Sequence, residues 1–374
     1  MIHLIEHMKQ FRIIISGGGS GGHIFPAIAI AKALLEKNEK IDFLFVGAKN
    51  KMEMEKVPNA GFKIKGLWIS GFQRKLTVKN LFFPLKLLFS LVSSFLIIKR
   101  FKPDLVIGTG GFASGPILYV ASKSKIPTVI QEQNSYAGIT NRILSKYVDL
   151  ICVAYQNMGK FFPKEKIYIT GNPIRKSILE DNCSLDDAIK QFDLDTKKST
   201  VLVIGGSLGA RTINTSILEG LSVIKNNNLN LIWQTGEAFS EKANDGISKI
   251  NTKGISTFSF IKEIELAYKV ADIIISRAGA IAISELCSVG KPIILVPSPN
   301  VAENHQYKNA QSLVNKNAAL MVKDEDANDK LVETIINLHN NNSIRGELSR
   351  NIKGMELKDS SKIIADYALE LLRK

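Results

Sequence analysis

Only three of the 374 residues are cysteine, Cys152, Cys183 and Cys287, and no two form a C-x-x-C pair. That excludes a disulfide framework and a zinc knuckle, and it fits a reduced cytoplasmic setting. Histidine is also scarce: the five histidines show no H-E-x-x-H spacing, so no metal site is expected. Aromatic residues make up 7% of the chain and scarcely interleave with the basic stretches, and no nucleic-acid-binding motif is present. Residues 1–10 lack a basic leader followed by an apolar core, so no signal peptide is expected; Met8 reads as a second start and residues 1–7 as dispensable. Acidic residues are sparse in the first half. Residues 1–175 carry 25 Lys and Arg against 10 Asp and Glu, a net of +15, while the remainder carries 24 against 25. The basic half is therefore expected to meet something anionic; by charge alone nucleic acid, anionic lipid and pyrophosphate substrates are all candidates, the first without a supporting motif.

What the chain does have is length, apolar content and a regular alternation. At 45% hydrophobic and 22% charged, it can bury the cores of two ordinary α/β domains. Short β-branched runs alternate with helical stretches: Ile13–Ile15, Phe43–Val46, Leu105–Ile107, Thr128–Ile130, Leu150–Val153 and Ile167–Thr170, then Val201–Ile204, Leu229–Trp233, Ile255–Phe258, Ile273–Ile275 and Ile293–Val296. Such alternation predicts parallel sheets covered by helices on both faces. Gly171-Asn172-Pro173 closes the first unit, which divides the chain into residues 1–175, 176–357 and a final helical segment, 358–374, that can pack back on the first domain.

Glycine is concentrated where strands end. Gly17-Gly18-Gly19-Ser20-Gly21-Gly22-His23 lies between the strand-like Phe11–Ile15 and a helix predicted over Pro26–Leu35. Five glycines there permit a tight turn and bring backbone N–H groups close to an anion at a helix N-terminus. The loop lacks the Lys-Ser/Thr ending of a P-loop and the G-x-G-x-x-G spacing of a dinucleotide fold. A ligand-free tight turn is the alternative, but the pattern recurs. Gly108-Thr109-Gly110-Gly111 follows one strand and Gly205-Gly206-Ser207-Leu208-Gly209 another. Gly18, Gly19, Gly110 and Gly111 are thus candidates for holding a pyrophosphate in the first domain.

The one long apolar run, Leu81–Ile98, is interrupted by Pro84 and Lys86 and diluted by Ser90, Ser93 and Ser94. Its flanks carry Arg74, Lys75 and Lys79 on one side and Lys99, Arg100 and Lys102 on the other. It reads either as a core helix or as an amphipathic helix dipping into an anionic leaflet, rather than as a span.

Three further constellations narrow the reading. Gln131-Glu132-Gln133-Asn134-Ser135-Tyr136-Ala137-Gly138 follows a strand, Gly171-Asn172-Pro173-Ile174-Arg175 places an arginine at the domain joint, and Ser276-Arg277-Ala278-Gly279-Ala280 leads through a small-residue turn into a helix carrying Glu285. Together with the glycine loops, these blocks resemble the MurG family from Gly17 to about Ala319. Its members move N-acetylglucosamine from UDP-N-acetylglucosamine onto the MurNAc 4-hydroxyl of undecaprenyl-pyrophosphoryl-MurNAc-pentapeptide (lipid I), giving lipid II. The resemblance implies a GT-B architecture, two Rossmann-like parallel-sheet domains facing a cleft, with an acceptor- and membrane-associating N-terminal domain and a UDP-sugar-binding C-terminal one. It implies an inverting reaction with no cofactor and no metal, peripheral to the cytoplasmic face of the inner membrane. It also assigns donor contacts to Ser20, Gly21, Gly22, Asn134, Arg175, Ser207, Ile261 at the uracil, and the segment Ala280, Ile281, Ala282, Ile283, Ser284 and Glu285, with Glu285 accepting from ribose hydroxyls. Gln306 matches a glutamine that meets the sugar hydroxyls, although His305 stands before it where some members have a second glutamine.

The chemistry is coherent without the family name. A departing UDP needs its growing charge stabilised, which Arg175 and the amides around Ser207 can do without a metal. Inversion needs a base for the acceptor hydroxyl. His23, whose ordinary pKa is near ~6.5, is the candidate, with a loop-bracing role as its alternative; Glu132 is the rival base, with a fold-stabilising role expected of it first. Two other enzymes share such a fold. An UDP-N-acetylglucosamine 2-epimerase would not need Leu81–Ile98, and a diacylglycerol sugar transferase would not need the Gly108–Pro116 cradle. A nucleotide-sensing or scaffold protein would bind UDP without turnover.

Overall fold

The computed structural model describes residues 10–71, 82–180, 184–206, 208–250 and 253–373. Met8, Arg74, Lys75, Lys79, Leu81, Cys183 and Ser207 lie outside them. The chain forms two compact units, residues 1–174 with 357–374, and residues 175–356.

In the first unit seven described strands form one parallel sheet: β1 (Phe11–Gly17), β2 (Ile41–Ala48), β3 (Ile64–Leu67), β4 (Leu105–Gly110), β5 (Thr128–Glu132), β6 (Leu150–Val153) and β7 (Ile167–Ile169). Their order is β3-β2-β1-β4-β5-β6-β7. Successive side chains of a strand point to opposite faces, and here both faces are apolar because helices cover both. Ile14, Val106 and Ile130 face Ile97, Ile117 and Leu118, whereas Ile13, Ile15 and Ile107 face Ile24, Ile30 and Leu34. Ile364, Ala365 and Ala368, from the last helix Ser360–Arg373, belong to this second cluster, so the end of the chain completes the core of its beginning.

The second unit repeats the plan with β8 (Thr200–Ile204), β9 (Asn230–Gln234), β10 (Ile255–Phe258), β11 (Ile273–Ser276), β12 (Ile293–Leu295) and β13 (Leu320–Met321), ordered β10-β9-β8-β11-β12-β13. Trp233 is fully buried on β9, with its indole N–H donated to Asn214 Oδ1 at 3.0 Å. In both sheets the strand order reverses beside the first strand, between β1 and β4 and between β8 and β11. Doubly wound sheets bind ligands at the carboxyl ends of the strands flanking such a reversal. The strands there end in the glycine loops.

Two expectations change. The first helix runs Gly21–Lys37 rather than from Pro26, because Ser20 adopts extended backbone and its carbonyl accepts from His23 and Ile24. Gly21 and Gly22 are therefore the first helical residues. The apolar run forms the helix Phe83–Phe101, and it is not a core helix. Its buried positions include the small Ser90 and Ser94, while Leu85, Leu88, Phe89, Val92, Phe95 and Leu96 are exposed. Those positions recur at i, i+3, i+4 and i+7, so they form one outward apolar stripe. No helix among the described residues is long and apolar enough to cross a membrane.

Candidate active site

In the first unit the functional side chains gather where β1 and β4 end. His23 sits one turn into the Gly21–Lys37 helix, and its Nδ1 lies 3.0 Å from the Gly18 carbonyl oxygen and 3.2 Å from Ser20 Oγ. A carbonyl only accepts, so in the neutral ring Nδ1 carries the proton and Nε2 keeps the lone pair. Burial lowers the His23 pKa, and the Gly18 bond and the charges of Glu132 and Glu53 oppose it only in part. The ring is therefore neutral at pH 7, with Nε2 as its basic atom. Thr109 Oγ1 secures the same turn by donating to the His23 carbonyl at 2.7 Å.

Gly110 and Gly111 make room for this ring. Both have positive φ, and a Cβ on Gly111 would stand 2.3 Å from the Gly18 oxygen and 3.1 Å from His23 Nδ1. One on Gly110 would stand 3.1 Å from Cδ2 of the ring. The structure thus gives these two glycines a steric reason beyond the anion cradle expected of them. One amide of the expected cradle is already engaged: Gly19 N donates to both oxygens of Glu53, at 3.3 and 3.2 Å.

Glu132 makes the contacts of the fold-stabilising role expected of it. Its buried carboxylate accepts from Asn134 N, Asn134 Nδ2, Gly138 N and Asn141 Nδ2, all between 2.9 and 3.2 Å. Four donors fix it as a brace for the loop. Its neighbours Gln131 and Gln133 are likewise turned inward, to Asn172 Oδ1 at 2.8 Å and to the Thr109 carbonyl at 2.6 Å. The Gln131–Asn134 motif is thus mainly scaffold, with only Asn134 at its partly exposed end.

In the second unit Arg175 Nε and Nη2 grip Glu285 in a two-pronged pair, at 2.8 and 2.9 Å. Glu285 is buried on the helix Ala280–Val289, whereas the arginine side chain is half exposed. Tyr268 completes the group: burial, followed by the Glu285 charge, raises its pKa, so it remains a neutral phenol. The pair adds to the expected donor roles of Glu285 and Arg175 a contact that the sequence did not foretell. Each is held by the other, and any ligand would meet their remaining lone pairs and N–H groups.

Gln306, on the helix His305–Val314, accepts with Oε1 from Ala278 N at 3.2 Å and Ser298 N at 2.8 Å. Its carbonyl pins the turn after β11 and leaves Nε2 as its outward donor. Ala280, Ile281, Ala282 and Ser284 are partly exposed, but Ile283 and Ile261 are buried in the core, so neither side chain lines a ligand surface. Phe260, beside Ile261, is the exposed ring. Sequence reasoning missed Glu53, Thr109 and Tyr268. Thr109 stands inside the Gly108–Gly111 loop but was not singled out, and Glu53 and Tyr268 lie outside every glycine motif; only the Met52-Glu53-Met54-Glu55 run hinted at a helix start near the loop.

Residues 13–153 match the glycosyltransferase family 28 N-terminal domain and residues 200–364 its C-terminal domain. The chain therefore belongs to glycosyltransferase family 28 and is a glycosyltransferase of GT-B architecture. It is 50% identical over 365 residues to the UDP-N-acetylglucosamine--N-acetylmuramyl-(pentapeptide) pyrophosphoryl-undecaprenol N-acetylglucosamine transferase of Flavobacterium psychrophilum, covering 98% of this chain and 99% of that protein. Among solved structures it resembles MurG of Acinetobacter baumannii, with a TM-score of 0.78 and 26% identity over 96% of this chain and 99% of that one. The UDP-GlcNAc 2-epimerase of Neisseria meningitidis shares the fold, with a TM-score of 0.68 at 15% identity over 96% of this chain and 100% of that one.

Proposed function

We infer that this enzyme transfers N-acetylglucosamine from UDP-N-acetylglucosamine to the MurNAc 4-hydroxyl of lipid I, with inversion, to form lipid II for peptidoglycan. The observation that carries the chemistry is the 3.0 Å approach of His23 Nδ1 to the Gly18 carbonyl at the carboxyl edge of the first sheet, which in a neutral imidazole puts the lone pair on Nε2. In this reading Nε2 takes the acceptor hydroxyl proton as the oxygen attacks the anomeric carbon and the bond to UDP breaks. Arg175, the first-turn amides of Ala280–Ala282 and the loop at Ser207 favour the developing diphosphate charge. Gln306 Nε2 reads sugar hydroxyls, and Phe260 offers an aromatic face to the uracil in place of Ile261.

The outward stripe of Phe83–Phe101 supports a peripheral site on an anionic leaflet at the cytoplasmic face of the inner membrane. Leu88, Phe95 and Leu96 would enter the acyl boundary while Lys99, Arg100 and Lys102 meet headgroups. Such a surface suits a lipid-linked acceptor better than the free sugar nucleotide of an epimerase.

The test is incubation with UDP-N-acetylglucosamine and a short-chain lipid I analogue. Acceptor-dependent UDP release with a β-1,4-linked disaccharide is expected. Release of UDP without acceptor would assign an epimerase or hydrolase, and binding without turnover would refute the transferase.

A further inference from the structure

Glu53 is a fully buried carboxylate that the chemistry above does not use. It opens the short helix Glu53–Asn59, after β2, yet its side chain reaches back into the glycine turn after β1. Besides the Gly19 amide it accepts from Ala48 N at 2.9 Å. No lysine or arginine pairs with it among the described residues, so backbone N–H groups alone compensate its charge. Burying a carboxylate on such terms is unfavourable unless those bonds are kept. Gly18 is built around it: a Cβ there would lie 2.1 Å from Glu53 Oε1. One residue therefore fixes the Gly19 amide on one side of the Gly18–Gly19 peptide, and the other side of that peptide is the Gly18 carbonyl that accepts from His23 Nδ1.

We propose that Glu53 is the positioning residue for His23: by holding the Gly18–Gly19 peptide in one orientation, it aims the Gly18 carbonyl at Nδ1 and so keeps the lone pair on Nε2. A peptide group is planar, so its N–H and C=O turn together. Without the carboxylate the Gly18–Gly19 peptide is free to rotate, because glycine flanks it on both sides. The Gly18 oxygen then leaves Nδ1 and the imidazole populates both tautomers. The inference rests on His23 being the base.

The experiment uses the full-length enzyme with the short-chain lipid I analogue and compares wild type, H23N, E53Q and E53A. Glutamine retains one acceptor oxygen for the Ala48 amide, so E53Q is the conservative variant; E53A serves as the harsher one. In E53Q, kcat should fall roughly tenfold to a hundredfold, as for a small misplacement of a reacting group, with the KM for UDP-N-acetylglucosamine changed by less than about twofold. The charges facing His23 are Glu53 from its helix and Glu132 from β5, and both raise its pKa. Losing one moves the acid limb of kcat/KM to lower pH, which a merely structural residue would not do. Nitrogen-15 NMR of the His23 ring, assigned by its absence in H23N, should show the Nδ1–H form in wild type and a mixture in E53Q.

A folded E53Q with wild-type kcat, acid limb and tautomer would overturn the proposal. H23N that keeps wild-type turnover would instead overturn the base assignment, whatever Glu53 does. Should E53Q fail to fold, the wild-type spectrum decides, because an Nε2–H ring would contradict the required tautomer.

Discussion

At the residue scale the candidate residues of the two units differ in kind. His23, the proposed base, takes its properties from a backbone oxygen and burial, so the acid limb expected of it lies on the low side of the ordinary 6.5. The sign follows from protonation: below the folded pKa Nε2 carries a proton and cannot accept another. Activity should thus be flat through neutrality and fall only under acid conditions, and H23N should lose that limb together with at least about a hundredfold in kcat; a pH–rate series checks both. Gly111→Ala places a methyl in the imidazole's space at positive φ and should cost about 1–3 kcal/mol or displace the ring. Thermal melting and turnover of that variant would be measured together. In the second unit, Arg175→Ala exposes Glu285 as a buried carboxylate without its partner. Because the arginine is half exposed, the loss is discounted to about 1–3 kcal/mol, and it should appear in urea denaturation followed by Trp233. Glu285→Gln retains the shape but not the charge and should raise the donor KM more than it lowers kcat.

At the element scale the helix Phe83–Phe101 turns most of its large side chains outward. Ser90 and Ser94 share its buried face with Ile97 and Ile98, and Ser90 needs little space there because its hydroxyl is satisfied by the Trp68 carbonyl at 3.1 Å. Hydropathy made this segment legible as apolar, yet could not decide which side was buried. Its periodicity contains two faces, and only the position of the sheet chooses between them. The double variant L88E/F95E removes exposed groups alone, so the melting temperature should change little. Sedimentation with anionic vesicles should be lost, and turnover of a long-chain acceptor in vesicles should fall while that of a short-chain acceptor persists. Retained vesicle binding would refute the surface role. The short edge strands β3 and β13 escaped detection for a related reason. They have four and two residues, with little apolar run of their own, and exist because β2 and β12 offer a free edge.

At the scale of the whole molecule, the chain leaves its first unit at residue 174 and returns to it at 357. Ile364 is fully buried there, and Ile364→Ala should cost about 2–5 kcal/mol. The chain's two tryptophans fall one to each unit, Trp68 in the first and Trp233 in the second. In I364A the Trp68 fluorescence transition should therefore move to lower denaturant while the Trp233 transition moves less; an equal shift of both would show that the units unfold together.

The sequence by itself determined the class. Short apolar β-branched runs that alternate with helical stretches and end in glycine read as buried parallel strands with tight exits, so the doubly wound halves, the loops and His23 were readable from local pattern. The tertiary structure decided what those residues touch. That Glu53 fills the glycine turn, that Glu285 is gripped by Arg175 110 positions away, and that Ile261 and Ile283 turn inward are facts of packing between distant segments. Local propensity carries no record of them, because a hydrogen-bonding or apolar side chain has the same sequence signature whether its partner is a ligand, a backbone amide or the core.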